Sequence, residues 1–301
     1  MLASATRPLP LAAVLLLLTS GLASAAVAQD RTTSGTVALD ADGTVVVDNH
    51  EGTITIDTWD RAEVRYEAVV RPERDADHPE ATVVAVDRSR RRFTIRTEYD
   101  DSNGDDGLFG WGGSRNIMPV AYTLTVPRTA RIEIDDHESE IEVRNGQADL
   151  SIDTHEGPIV VAMHAGDVEI DAHESDITMR SITGDLEIDR HEGRLDVDGL
   201  NGGLTLDTHE GDARVAFATL RGDVSIDSHE GTFMLTVPSG AGFDLSTDFD
   251  DDAGLDADFD LSPYRVGDDE DDEINYRGRV HGGGPRLRLG SHDGRFEIRT
   301  R

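Results

Sequence analysis

Residues 171–188 read Asp171-Ala172-His173-Glu174-Ser175-Asp176-Ile177-Thr178-Met179-Arg180-Ser181-Ile182-Thr183-Gly184-Asp185-Leu186-Glu187-Ile188, and the next five, Asp189-Arg190-His191-Glu192-Gly193, begin the same pattern again. The pentapeptide Asp-x-His-Glu-Gly/Ser recurs with its histidine at His137, His155, His173, His191, His209 and His229; the first four intervals are 18 residues and the last is 20. An outlying copy, Asp48-Asn49-His50-Glu51-Gly52, stands near the start, and a degenerate one, Ser291-His292-Asp293-Gly294, near the end. Self-similarity at a fixed short period is the mark of stacked units, each reusing the same inward positions.

Within each unit apolar residues stand two apart in two short segments, Ile177/Met179 and then Leu186/Ile188. The same columns hold Ile141/Val143 with Leu150/Ile152, Ile159/Val161 with Val168/Ile170, Leu195/Val197 with Leu204/Leu206, and Val215/Phe217 with Val224/Ile226. Period two predicts strands. Turn chemistry separates the strands on both sides, His-Glu-Gly/Ser at one corner and Gly-Asp or Gly-Gly at the other. Strict repetition of both corners favours a coil over a meander of hairpins. The predicted fold is therefore all-β: a single-domain β-solenoid with about 18 residues per coil. A right-handed form is preferred, because the apolar columns do not recur every six residues as a left-handed coil of three hexapeptides would require.

Outside the repeat, Val64–Val70, Thr82–Val86, Phe93–Arg96 and Val120–Val126 are longer and more hairpin-like, which predicts an N-terminal β cap. The first 28 residues carry Arg7, an apolar run from Leu9 to Leu18, and small residues through Ala23–Ala28. They read as a secretory signal peptide cleaved at Ala28/Gln29, or alternatively at Ala25/Ala26. With no Cys, neither a lipoprotein nor disulfide staples are expected. The predicted division is 1–28 signal peptide, 29–134 cap and first coils, 135–243 regular coils, 244–275 acidic loop or insert, and 276–301 closing coil, with 29–301 one structural domain.

Acidic residues number 61 against 28 basic ones, every one of the latter Arg. Loss of Arg7 with the signal takes the net charge from -33 to -34 (-33 - 1). Such a chain lacks the basic footprint that nucleic acid or anionic lipid requires. The charge suits solubility or cation binding.

Several elements in order resemble a known family. They are Asn49 to Ile56 followed by Trp59-Asp60-Arg61-Ala62-Glu63-Val64, the Tyr122-to-Pro127 strand, the Gly-Asp-apolar rungs, Val237 to Phe243, and the closing Gly282-Gly283-Gly284-Pro285 with Ser291 to Gly294. Together they are similar to the bacterial putative-adhesin domain of unknown function, over nearly all of 35–301. The resemblance implies a β-solenoid in an exported envelope protein. Where that family usually shows a Ser-Gly or Asn-Gly turn, this chain repeats His-Glu-Gly/Ser, so the chemistry of the histidine column does not follow from it.

In an in-register coil, equivalent residues of successive rungs lie about 4.8 Å apart, giving ladders of Asp, His and Glu. Like charges at that spacing repel by roughly 1 kcal/mol even at the dielectric of water. Three readings are open: a structural corner in which Asp and Glu cap backbone N–H groups and His packs along the stack, a proton-responsive surface, or a Zn²⁺ or Ca²⁺ ladder. The metal reading uses His137, Glu138, His155, Glu156, His173, Glu174, His191, Glu192, His209, Glu210, His229 and Glu230. Counting by twos from Ile170 points His173 outward, whereas counting back from Ile177 points it inward. Asp101-x-Asn103-x-Asp105 opens like a calcium loop, but Asp106 stands where Gly is needed and Gly112 where Glu is needed. His164 falls in the column of Ile182 and Leu200 and reads as a corner residue; Trp59 reads as cap packing, and Trp111 is a weaker glycan-docking candidate.

A β-helical carbohydrate-active enzyme would need distinct paired carboxylates in a cleft. Here the carboxylates repeat evenly, and there is no Gly-x-Ser-x-Gly elbow, His-Glu-x-x-His or phosphate loop. The expectation is a non-enzymatic, adhesin-like or scaffold protein, periplasmic, cell-surface or secreted. It has no catalytic residues and no cofactor, it binds an extracellular or envelope ligand, and it does not insert in a membrane after signal cleavage.

Overall fold

The computed structural model describes residues 30–71, 81–99, 118–250, 252–266 and 273–301. The signal peptide and its cleavage sites, the Asp100–Gly113 loop with Trp111 and the calcium-like triplet, and Asp268–Asp272 of the acidic insert lie outside the described residues. Among the described residues twenty strands follow in chain order, beginning with β1 (Arg31–Ala38), β2 (Thr44–Asp48), β3 (Glu51–Trp59), β4 (Glu63–Val70), β5 (Thr82–Arg88), β6 (Arg92–Tyr99) and β7 (Val120–Pro127). The coils run through β8 (Arg131–Arg144), β9 (Leu150–Glu156), β10 (Ile159–Ala165), β11 (Val168–Glu174), β12 (Ile177–Thr183), β13 (Leu186–Glu192), β14 (Leu195–Thr208) and β15 (Ala213–Val237). After them come β16 (Phe243–Phe249), β17 (Gly254–Ala257), β18 (Ser262–Val266), β19 (Glu273–Val280) and β20 (Arg286–Thr300).

The chain is an all-β solenoid with two faces. On the first face Leu150, Val168 and Leu186 pair in parallel, and on the second Ile141, Ile159, Ile177 and Leu195 do the same. From Ile141 to Leu195 each step advances 18 residues. Alternation fixes what faces inward: in β13, Leu186, Ile188 and Arg190 are buried while Glu187 and Asp189 are exposed. The inward residues of both faces form one continuous core. Each fully buried Leu or Ile adds roughly 1.5–3 kcal/mol, and stacking lets every rung reach that burial.

The longer, 20-residue interval has a local cause. Gly202 still pairs with Leu220, but Leu204 pairs with Val224, so the two extra residues lie between Leu220 and Val224 and leave both flanking ladders in register. A second corner feature is a column of left-handed backbone at Asn145, Met163, Ser181 and Gly199, with φ of 62°, 54°, 56° and 84°.

Spatial order departs from chain order at both ends. β2 and β3 lie between β8 on one side and β6 and β7 on the other. β20 lies between β15, with which it shares thirteen paired positions, and the strands β16 and β17. Among the described residues antiparallel pairing is confined to these ends: β1 with β4, β4 with β7 and β5 with β6 at one, and β16 with β19 and β18 with β19 at the other.

Candidate functional site

The corner after each first-face strand resolves the direction of the histidines. In residues 171–177, Asp171, His173, Glu174 and Asp176 are exposed while Ala172, Ser175 and Ile177 are buried. Two successive exposed residues, His173 and Glu174, carry the phase change, so the count from Ile170 gives the outward direction of His173, whereas the count back from Ile177 holds only as far as Ser175. Backbone bonds between rungs then fix the motif: Glu210 N–H donates to the His191 carbonyl at 2.8 Å and Glu230 N–H to that of His209 at 3.1 Å.

The consequence is a single column of eight imidazoles. From His137 through His155, His173, His191 and His209 to His229 the rings are stacked, with centroids 4.7–5.1 Å apart and planes within 12°. His50 and His292 extend the column at its two ends with tilted rings. Each of the four central histidines, His155 to His209, places Nδ1 at 3.6 Å from an oxygen of its own rung's glutamate. Beside this column runs the motif aspartate column, and Asp171, Asp189, Asp207 and Asp227 line one groove with His173, His191, His209 and His229. Partial burial raises the carboxyl pKa of Asp153 and Asp207, and the aspartates on neighbouring rungs push the same way.

Capping of backbone N–H groups falls to other carboxylates. Asp167 accepts from Asp185 N–H, Asp185 from Gly203, Asp176 from Arg194, and Asp212 from Thr232. These residues sit one rung before their partners, so each staples two coils.

Behind the histidines lies a feature the sequence did not announce. The variable position of the motif is buried on every rung, as Asn49, Asp136, Thr154, Ala172, Arg190, Thr208, Ser228 and Ser291. Asp136 accepts hydrogen bonds from the Ser139 and Thr154 hydroxyls, and burial, outweighing them, lifts its carboxyl to about 6. Arg190 donates to the carbonyls of Gly193 at 2.9 Å and Asp212 at 3.1 Å. The only advance signal was that this position tolerates so many residue types.

His164 is a buried corner residue opposite Ile182, and neither ring nitrogen has a well-formed partner. Burial lowers its pKa, with the Ala148 backbone and Asp149 pulling weakly the other way. A histidine held neutral by burial contributes fully above its unfolded pKa of about 6.5, and its contribution is lost as pH falls below that value. His164→Leu should therefore stabilise the chain by about 1–2 kcal/mol at neutral pH and flatten the loss of stability as pH falls below about 6.5. Urea unfolding at several pH values checks this; parallel pH profiles for the two proteins would refute it.

Trp59 ends β3, donates Nε1–H to the Glu63 carbonyl at 2.8 Å, and has the Arg61 and Arg65 guanidinium groups over its ring. It belongs to the cap. Among the described residues, no three His, Asp or Glu side chains converge as a metal-binding group, and no helix is long and apolar enough to cross a membrane.

Comparison with known proteins adds the following. The family described as Toastrack DUF4097 matches residues 44–254. Of the solved structures, a putative adhesin from Bacteroides fragilis is 11% identical with a TM-score of 0.41, covering 90% of this chain and 97% of its own. A putative cell adhesion protein from Clostridium sporogenes is 8% identical with a TM-score of 0.29, covering 90% of this chain and 100% of its own. Neither likeness is close enough to bear on the site. No curated protein matches the chain.

Proposed function

The chain belongs to the Toastrack DUF4097 family, and from that membership and the histidine face we propose that it is a non-enzymatic, exported envelope protein acting as an adhesin-like or scaffold rod. In this reading the mature chain is a right-handed coil, periplasmic, surface-bound or secreted, whose repeated Asp-x-His-Glu-Gly/Ser rungs from His137 to Glu230 meet the ligand. The observation that carries it is the uniformity of the face: stacked imidazoles beside a parallel aspartate column. A catalytic site needs unlike groups gathered at one place, whereas a repeated surface suits an extended ligand.

The test compares mature protein with a variant carrying His155, His173, His191 and His209→Asn. Cosedimentation with isolated envelope fractions should be saturable and lost in the variant. Equal sedimentation of both would remove the face from the function, and a chain found only in the cytosol would remove the export reading.

A second reading, capture of divalent cations, has one distance in its favour. A gap of 3.6 Å between Nδ1 and the glutamate oxygen admits a Zn²⁺ bonded to both at about 2.1 Å. Neighbouring rings cannot share an ion as they stand. Parallel rings 4.7–5.1 Å apart exceed the ~4.2 Å that two Zn–N bonds span in line. Each rung would offer two ligands only. Calorimetry with Zn²⁺ and Ca²⁺ on the same two proteins decides it: multi-site heat lost in the variant supports capture, and equal heats exclude it.

A further inference from the structure

On the first face, beyond the last motif rung, the acidic pattern reverses. Two adjacent rows cross the strands β19, β16 and β20 with all side chains on the outer side. One row is Arg279–Asp244–Arg286 and the next is Arg277–Ser246–Arg288. The second row continues into Ser262 beyond Arg277 and into Ser225 beyond Arg288. All of these residues except Ser225 line one open groove.

The first row is internally matched. Arg279 Nε bonds Asp244 Oδ1 at 2.8 Å, and the charge of Arg286 adds to the field that holds the Asp244 carboxyl below its usual range. In the second row, the place between two guanidinium groups is taken by Ser246, which brings a hydroxyl and no charge. Arg277 has a partner of its own, and the unmatched charge is that of Arg288. Among the described residues Arg288 makes no ion pair, and its cross-strand neighbours are Ser246 and Ser225. The carboxylates of Asp227 and Asp248 stand one row away, either side of Gly290, and neither comes within ion-pair distance of Arg288.

We propose that the row Ser262–Arg277–Ser246–Arg288–Ser225 is an oxyanion-binding site, seating a carboxylate, phosphate or sulfate over Ser246 where the adjacent row holds its own Asp244. The chemistry fits. Arginine presents a planar fork matched to such groups, and serine hydroxyls supply the remaining donors. Arg277 and Arg288 stand two strand spacings apart, about 9.5 Å between backbones, so Arg288 is the guanidinium that seats the anion and Arg277, already partnered, adds its charge from the other side of Ser246. In a chain of net charge -33, a run of arginine and serine without a carboxylate is the surface that an anionic polymer can approach. Arg288 and Ser225 also border the groove of the histidine and aspartate columns, but the proposal does not rest on the function proposed for that face.

The test uses the mature chain at constant ionic strength, titrated calorimetrically with inorganic phosphate and, separately, with a uronic-acid oligosaccharide. Saturable binding of either is expected. Phosphate binding marks a single-anion site, and binding of the oligosaccharide alone marks one that needs a polymer-borne carboxylate. Arg288→Gln should weaken binding tenfold or more. Ser246→Asp should abolish it while keeping or raising the melting temperature, because it supplies the second row with the carboxylate of the first. Arg92→Gln, at a guanidinium already paired with Glu133, should bind as the parent does. No saturable binding of either probe, or undiminished binding by Ser246→Asp, overturns the proposal. Should Arg288→Gln fold poorly, the well-folded Ser246→Asp variant decides.

Discussion

Gly193→Ser should cost roughly 3 kcal/mol or more, although serine is native to the same motif position at Ser139 and Ser175. Gly193 has φ of 115°, a region closed to L side chains, and a Cβ there would lie 2.3 Å from the Ser175 carbonyl oxygen on the rung below. Among the described residues the only non-glycines with positive φ are Asn145, Met163, Ser181 and His281, so Ser139 and Ser175 take a different backbone path around their corners. The motif's Gly/Ser choice is thus two corner geometries rather than one tolerant position. A clash of this kind pushes two rungs apart where their ladder is continuous, and neighbouring rungs share the loss. Urea unfolding measures it. A midpoint within error of the parent would show that the corner can change path, and would sink the two-geometry account.

The second large effect is at Arg190, which sits in the core below the stacked imidazoles with Ala172 on one neighbouring rung and Thr208 on the other. The small Ala172 leaves the room that the long side chain fills. Arg190→Ala should destabilise by about 3 kcal/mol, through the void and the two hydrogen bonds lost. Arg190→Met should fall within about 1 kcal/mol of the parent, since it keeps the volume and removes a buried charge. That charge is costly: burial lowers the guanidinium pKa well below its ordinary value, to about 10. A depressed base is penalised at every pH below its folded pKa, so the cost, about 3 kcal/mol, is fully present at neutrality and eases only as pH rises above about 10. Denaturant midpoints of the two variants separate volume from charge. If Met costs as much as Ala, the hydrogen bonds to Gly193 and Asp212 hold the corner and packing does not.

The stack itself was legible because its period is written in side chains that have no freedom to differ. Ile159, Ile177 and Leu195 must be apolar to share a core, and His155, His173 and His191 mark each turn with a residue type rare elsewhere in the chain. The inward column was harder to read, since Asp136, Ala172 and Arg190 share burial but no chemistry, and hydrophobic pattern is blind to that. The direction of the histidines was hidden for a related reason. Alternation cannot be counted through a corner where His173 and Glu174 are both exposed. The left-handed column of Asn145, Met163, Ser181 and Gly199 gave no signal, because only one of its four residues is glycine. Nor did any local pattern place β20 between β15 and β16, as pairing partners separated by dozens of residues are chosen by shape at the end of the stack. The arginine–serine row was invisible for the same reason: Ser246, Ser262, Arg277 and Arg288 come together only through those pairings.

The interleaving of β20 also decides how the rod would carry mechanical load. Its fifteen residues are gripped along one edge by β15 and along the other by β16 and β17, with all three neighbours parallel to it. A pull on the C-terminus along the strand axis therefore strains both ladders in shear, and many hydrogen bonds must fail together before the strand slides. A last coil merely laid on the outer end would peel away one bond at a time. For a chain tethered or grasped near that terminus, tension would pass into the stack three strands inward from the β18 edge of the first face, bypassing the strands that are easiest to strip.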